Sequence, residues 1–168
     1  MPDNINPSPL LLLSAISVSA KTGAELARFL ATAEAAVQAA TATNKAAIFP
    51  ALAAAGIARV TIDYDGGGDE GNLEPPQAVD AEGNSVEFPD TRVTIVTLGF
   101  DNTTLHPETH LLSDAVESAA CSLLEQTHGG WENNEGAAGQ FVLDVAASTI
   151  SLEHRERFVD FNVLETEF

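Results

Sequence analysis

The sequence predicts an α+β fold, an antiparallel sheet with about three helices packed on one face. Three observations carry that prediction. Apolar residues recur at helical spacing early in the chain and again after residue 107. β-Branched stretches with period-two alternation follow each helical region. The links between the last stretches are too short for parallel crossovers. With 168 residues, 45% of them hydrophobic, the chain can bury one core of ordinary size. No linker divides it. The expected organisation is a mobile segment over 1–20 and a single domain over 21–168.

Residues 1–20 open with Pro2, Pro7 and Pro9 and continue into Leu10–Leu13. Asp3 is the only early charge, so a basic signal-peptide head is missing, and the apolar run is too short to cross a bilayer. A cytoplasmic protein without membrane attachment is expected. Thr22-Gly23-Ala24-Glu25 fits a capping box. Leu26, Phe29, Leu30, Ala33, Val37 and Ala40 follow at helical spacing, which predicts a helix over 23–41. Asn44 reads as a second N-cap, for a helix over 45–55 that ends near Gly56 and is troubled by Pro50.

Arg59 to Asp65 alternates and is rich in β-branched residues, as a strand does. Gly66–Gly71 reads as a loop. Residues 72–80 and 84–88 flank Ala81-Glu82-Gly83 as a hairpin, with Pro75 and Pro76 on an edge. Arg92–Leu98 is a further strand. Pro107 suits the first position of a third helix, whose buried stripe is Leu112, Val116, Ala119, Ala120, Leu123 and Leu124. His128 near its end complements the helix dipole, and Gly129 is the natural residue to close it. Strands over 140–145, 149–154 and 158–167 complete the chain as a meander, with Glu153–Arg157 in a turn.

The net charge of −18 is unevenly placed. Before Arg59, three acids (Asp3, Glu25, Glu34) balance three bases (Lys21, Arg28, Lys45). Of the 25 acids, 22 therefore follow, against Arg59, Arg92, Arg155 and Arg157. Such a field repels nucleic acids and anionic membranes and favours basic proteins or cations. A single cysteine, Cys121, excludes an intrachain disulfide and a cysteine-rich zinc site.

Two stretches carry candidate chemistry. Asp63 to Glu74 lays Asp63, Asp65, Gly68 and Glu74 on positions of a twelve-residue calcium loop. Gly67 and Glu70 break that pattern, and the approach is a strand. A looser divalent-cation loop of Asp65, Asp69, Glu70 and Glu74 fits the liking of hard cations for clustered oxygens. The competing reading is an acidic turn, glycine-rich because its backbone needs positive φ. The second stretch, His128–Gly136, holds the only tryptophan, Trp131, with Glu132, Asn133, Asn134 and Glu135. It reads as a hinge in which Trp131 plugs the core and the two asparagines satisfy loop backbone groups. His106 and His110 stand four apart, a spacing that suits zinc on a helix, but they lack the intervening residues of the zinc-protease pattern. No nucleophile–base constellation and no phosphate-cradling glycine loop is present, and no catalytic residue is assigned.

Asn44-Lys45-Ala46-Ala47-Ile48-Phe49, Ala55-Gly56-Ile57 and Gly66-x-Gly68-Asp69-x-Gly71-x-x-Glu74 resemble the first half of an uncharacterised family of small acidic bacterial proteins. Gly129-Gly130-Trp131-Glu132-Asn133-Asn134-x-Gly136-x-x-Gly139-x-Phe141-x-x-Asp144, with Ile150-x-Leu152-x-His154, resembles its second half. The resemblance covers roughly 44–160, and this chain departs from it at Pro50 and Glu70. It implies a setting in plasmids, phages and other mobile elements, that both glycine-rich stretches belong to one architecture, and no activity.

The functional expectation is a non-enzymatic acidic interaction protein. Its surface comprises Asp63, Asp69, Glu70, Trp131, Glu132, Asn133, Asn134 and Glu135, presented to a basic groove of a partner. In its sharpest form it mimics nucleic acid and inhibits a host nucleic-acid-binding or defence complex. The alternative is a divalent-metal domain, structural or hydrolytic, that joins the Asp63–Glu74 loop to Glu132 and Glu135. The two expectations separate on geometry, because the second requires the two glycine-rich stretches to converge.

Overall fold

The computed structural model describes the backbone of residues 9–168 and side chains from Thr22 onward. The expected mobile segment over 1–20 therefore lies outside the described residues, apart from the backbone from Pro9. Two helices, not about three, occur among the described residues: α1 over Pro9–Ala54 and α2 over Leu112–His128.

The helices expected over 23–41 and 45–55 are one. Nothing in Ala39–Asn44 breaks a helix, and Asn44 does not cap. It is buried within α1, and its amide reaches across to a strand edge. Asn44 Nδ2 donates to the Val96 carbonyl at 2.9 Å, and Val96 N–H donates to Asn44 Oδ1 at 2.7 Å. One side chain thus satisfies both backbone groups of a residue, as a neighbouring strand does. The helix absorbs Pro50 near its end. It stops where expected. Gly56 has φ of +73°, its N–H donates to the Ala53 carbonyl, and Ile57 N–H donates to the Leu52 carbonyl. That is the Schellman arrangement, with buried Leu52 and Ile57 as its apolar pair.

The main sheet is antiparallel and has the order β4-β3-β1-β7-β8. Its strands are β1 (Arg59–Gly67), β2 (Glu70–Leu73), β3 (Gln77–Val79), β4 (Ser85–Val86), β7 (Ala137–Asp144) and β8 (Thr149–Glu156). β2 and β3 lie along the same edge of β1. Tyr64 pairs with Leu73 and Thr61 with Gln77, so three residues on the outer strand oppose two on β1. The extra residue is a bulge, and it holds Glu74, Pro75 and Pro76, where prolines cost no ladder bond. A separate ribbon pairs β5 (Arg92–Leu98) with β6 (Leu105–Leu111).

Pro107 lies in β6 rather than at a helix start, opposite Val96. Helix α2 begins five residues later. His106 and His110 therefore stand on a strand, not on one helix face. Glu153–Arg157 lies in and just beyond β8 rather than in a turn. Residues 158–167, expected as a last strand, carry no regular structure.

Burial alternates along β1 and β7, so one sheet face is covered. A single core joins Ile48, Phe49 and Leu52 of α1, Ala115, Val116 and Leu124 of α2, Val60, Ile62 and Tyr64 of β1, and Phe141 and Leu143 of β7. Each such large aliphatic or aromatic side chain contributes about 1.5–3 kcal/mol of burial. The opposite sheet face is open and polar, with Asp63 accepting from Gln140 Nε2 at 2.9 Å.

Candidate functional site

The Asp63–Glu74 stretch forms a β-hairpin rather than a calcium loop. Gly67 pairs with Glu70, which leaves Gly68 and Asp69 as a two-residue turn, both with positive φ. That is the type I′ geometry that matches strand twist. Behind the turn, Gly66 and Gly71 face each other across the strands. The Trp131 ring occupies the place of their missing side chains. A Cβ on Gly66 would stand 2.5 Å from Trp131 Cζ3, and one on Gly71 would fall on the ring. An aromatic laid over paired glycines restores the packing those glycines lack. Trp131 also meets Tyr64 edge-on at 5.3 Å, and its Nε1–H donates to Glu125 Oε1 at 3.2 Å.

The two glycine-rich stretches do converge, as the divalent-metal expectation requires, though through backbone groups and not through its carboxylates. Gly68 N–H donates to the Asn134 carbonyl at 2.7 Å, and Asp69 N–H to the Glu132 carbonyl at 3.1 Å. Gly136 lies against the Gly66 carbonyl with no room for a side chain. Trp131 anchors the joint between α2 and β7, as expected of a hinge. Gly130, not Gly129, takes the positive φ that turns the chain.

The carboxylates of Asp65, Asp69, Glu70 and Glu74 do not gather. Asp65 Oδ2 accepts from Arg157 Nη2 at 2.6 Å, while Asp69 turns toward the Asn134 N–H. Glu132 and Glu135 do not complete a cage with them. Among the described residues, the group whose donor atoms lie within 4.8 Å of one another is His128, His154 and Glu156.

That group is built by register. Tyr64 on β1, Gly139 on β7 and His154 on β8 form one row across three strands. Gly139 leaves a gap in the middle of the row, and Tyr64 closes it. The phenol lies 2.5 Å from His154 Nδ1 and 3.4 Å from the Glu153 carbonyl. His128, the last residue of α2, stacks on His154 with ring centroids 3.7 Å apart and planes 13° from parallel. Glu156 Oε1 stands 3.8 Å from His154 Nε2. Burial, then the neighbouring His128, hold His154 below the usual histidine range, while Glu156 opposes them. Burial pushes the Tyr64 phenol above its usual value. Tyr64 is therefore a neutral hydroxyl and not an activated nucleophile.

His128, His154 and Glu156 line one wall of an open cleft of about 420 Å³, whose other wall is the Gly129–Gly136 loop, while Tyr64 lies buried behind His154. The arrangement offers two imidazoles and one carboxylate, a donor set that can hold a cation.

Trp131 is buried, Glu132 half-buried, and Asp63, Asp69, Glu70, Asn133, Asn134 and Glu135 are exposed. Asp63 lies apart from the others, on the outer sheet face. Sequence reasoning missed Tyr64, Gly139 and the pairing of His128 with His154. The available signal was a glycine and a histidine at inward positions of neighbouring strands, facing an inward tyrosine.

The fold and site define a small α+β domain with a glycine-hinged polar cleft at one end of its sheet. Residues 40–168 match the family of unknown function DUF6878, and the chain belongs to that family. No curated protein and no solved structure matches it. Of the residues quoted for the resemblance, Gly66, Gly71, Trp131, Gly136, Gly139 and His154 lie in this corner, whereas others, Asn44 among them, lie elsewhere in the fold. Among the described residues, no helix is long and apolar enough to cross a membrane.

Proposed function

We propose that the protein is a non-enzymatic interaction protein whose acidic edge occupies the basic groove of a nucleic-acid-binding partner. One observation carries the reading. The hairpin tip and the Trp131 loop are locked together by two backbone hydrogen bonds, so exposed Asp69, Glu70 and Glu135 stand on one preorganised edge. A rigid edge loses little freedom on binding. The nearby cations are already engaged, Arg157 by Asp65 at 2.6 Å and Arg155 by Glu153 at 3.4 Å. They leave that edge its negative field, which speeds encounter with a basic surface.

The test uses the full chain as bait beside a D69N/E70Q/E135Q variant. Asparagine tolerates the positive φ of position 69, so the turn survives. Capture of a DNA-binding protein that weakens with rising salt, is competed by duplex DNA and is lost in the variant supports the reading. Capture indifferent to salt and to the variant overturns it.

A further inference from the structure

We infer that His128, His154 and Glu156 bind a single divalent transition ion of the zinc class, with Tyr64 as a positioning residue. The inference is independent of the acidic edge, since the two share no side chain. Their donor atoms already lie within 4.8 Å of one another. Ligands at about 2.0–2.2 Å from one ion need only a small approach from there.

The donor chemistry selects the ion. Two imidazoles and one carboxylate suit zinc and its neighbours, whereas calcium and magnesium ask for oxygen alone. Three protein ligands leave a fourth position, which faces the cleft. The surroundings supply the partner that a ligating histidine needs on its other ring nitrogen. With Nε2 free for the ion, His154 Nδ1–H donates to the Tyr64 oxygen. The Tyr64 hydroxyl then donates to the Glu153 carbonyl. Gly139 is the opening that lets this chain of hydrogen bonds form.

One side chain has to move. Stacked rings carry their lone pairs in parallel planes, and an ion cannot meet both in plane. His128 ends α2 and is followed by Gly129-Gly130, so its ring can swing out of the stack. His154 is held by Tyr64 and cannot.

Titration of the tag-free chain with Co²⁺ and then Zn²⁺ tests the site. One equivalent of Co²⁺ should give the visible absorption of a four- or five-coordinate ion, and Zn²⁺ should displace it. Mg²⁺ and Ca²⁺ should not. H128A and E156Q should each remove tight binding, and far-UV circular dichroism of both should match the parent. Y64F should weaken binding about 10- to 100-fold, the usual effect of losing an outer-shell partner. H106A/H110A should change nothing, nor should D69N/E70Q/E135Q. Absence of a one-equivalent cobalt spectrum overturns the inference. So does a spectrum that survives H128A and E156Q but vanishes in H106A/H110A.

Discussion

At the scale of single residues, the fold depends on positions where a side chain is missing or unusually placed. Gly139 is the sharpest case. A Cβ there would meet the Glu153 carbonyl and the Tyr64 hydroxyl. Gly139→Ala is expected to cost about 1–3 kcal/mol from overpacking. It should also displace the phenol from His154. Urea unfolding measures the first effect, and the His154 imidazole resonances report the second. Asn44 makes the complementary case. Replacing it by alanine strands the Val96 N–H and carbonyl against α1, at about 1–3 kcal/mol. An unfolding midpoint within error of the parent would show that water replaces the amide. Asp80 ties the Ala81–Asn84 turn, and its carboxyl is held below the usual range, first by the Asn84 side chain and then by the Asn84 N–H. The sign follows from the depressed folded value. The contribution is complete above the unfolded pKa and is lost as pH falls through the folded one. Amide exchange at Glu82 and Asn84 should therefore gain protection as pH rises through the acid range, once intrinsic rates are removed, and D80N should lose that dependence.

At the scale of elements, what was legible followed from local chemistry and what was not followed from distant pairing. The strand over 59–65, the 92–98 strand and the end of α1 at Gly56 rest on alternation and a glycine stop, and all were readable. The rule for Pro107 was ambiguous, because a missing N–H suits both a helix start and a strand edge. The acids around Gly68 matched a cation loop in spacing alone, yet Gly68-Asp69 is a hairpin turn. Merging the two early helices required knowing that β5 would satisfy Asn44. The Tyr64–Gly139–His154 row was illegible for the same reason, since register between β1, β7 and β8 is long-range. Helix α1 offers an element-scale prediction. Between Thr22 and Ala35 no side chain is buried, and Leu26 and Leu30 are 57% and 58% exposed. Replacing Leu26 and Leu30 together by alanine should shift unfolding free energy by no more than about 0.5 kcal/mol, the range of surface substitutions away from packed features. Urea unfolding of the double variant measures it. A large loss of stability would mean that this half of α1 packs on something.

At the scale of the whole molecule, the controlling quantity is charge. The chain carries −18, and from Arg59 onward its 22 carboxylates face four arginines, Arg59 included. Favourable pairs do little to offset this. The four ion pairs found among the described residues include two with histidine, and at least one partner of each is well exposed. Exposed pairs contribute about 0–1 kcal/mol each. Self-repulsion therefore outweighs them, and the compact state holds the carboxylates closer together than the unfolded chain does. Salt then has a definite sign. Between about 0.01 M and 0.15 M the Debye length falls from about 30 Å to about 8 Å, which screens the repulsion across the domain. Urea, being uncharged, leaves ionic strength a free variable, so the urea midpoint should rise with added sodium chloride over that range. A midpoint that falls would mean that specific ion pairs, Arg157 with Asp65 foremost, hold more of the fold than repulsion takes away.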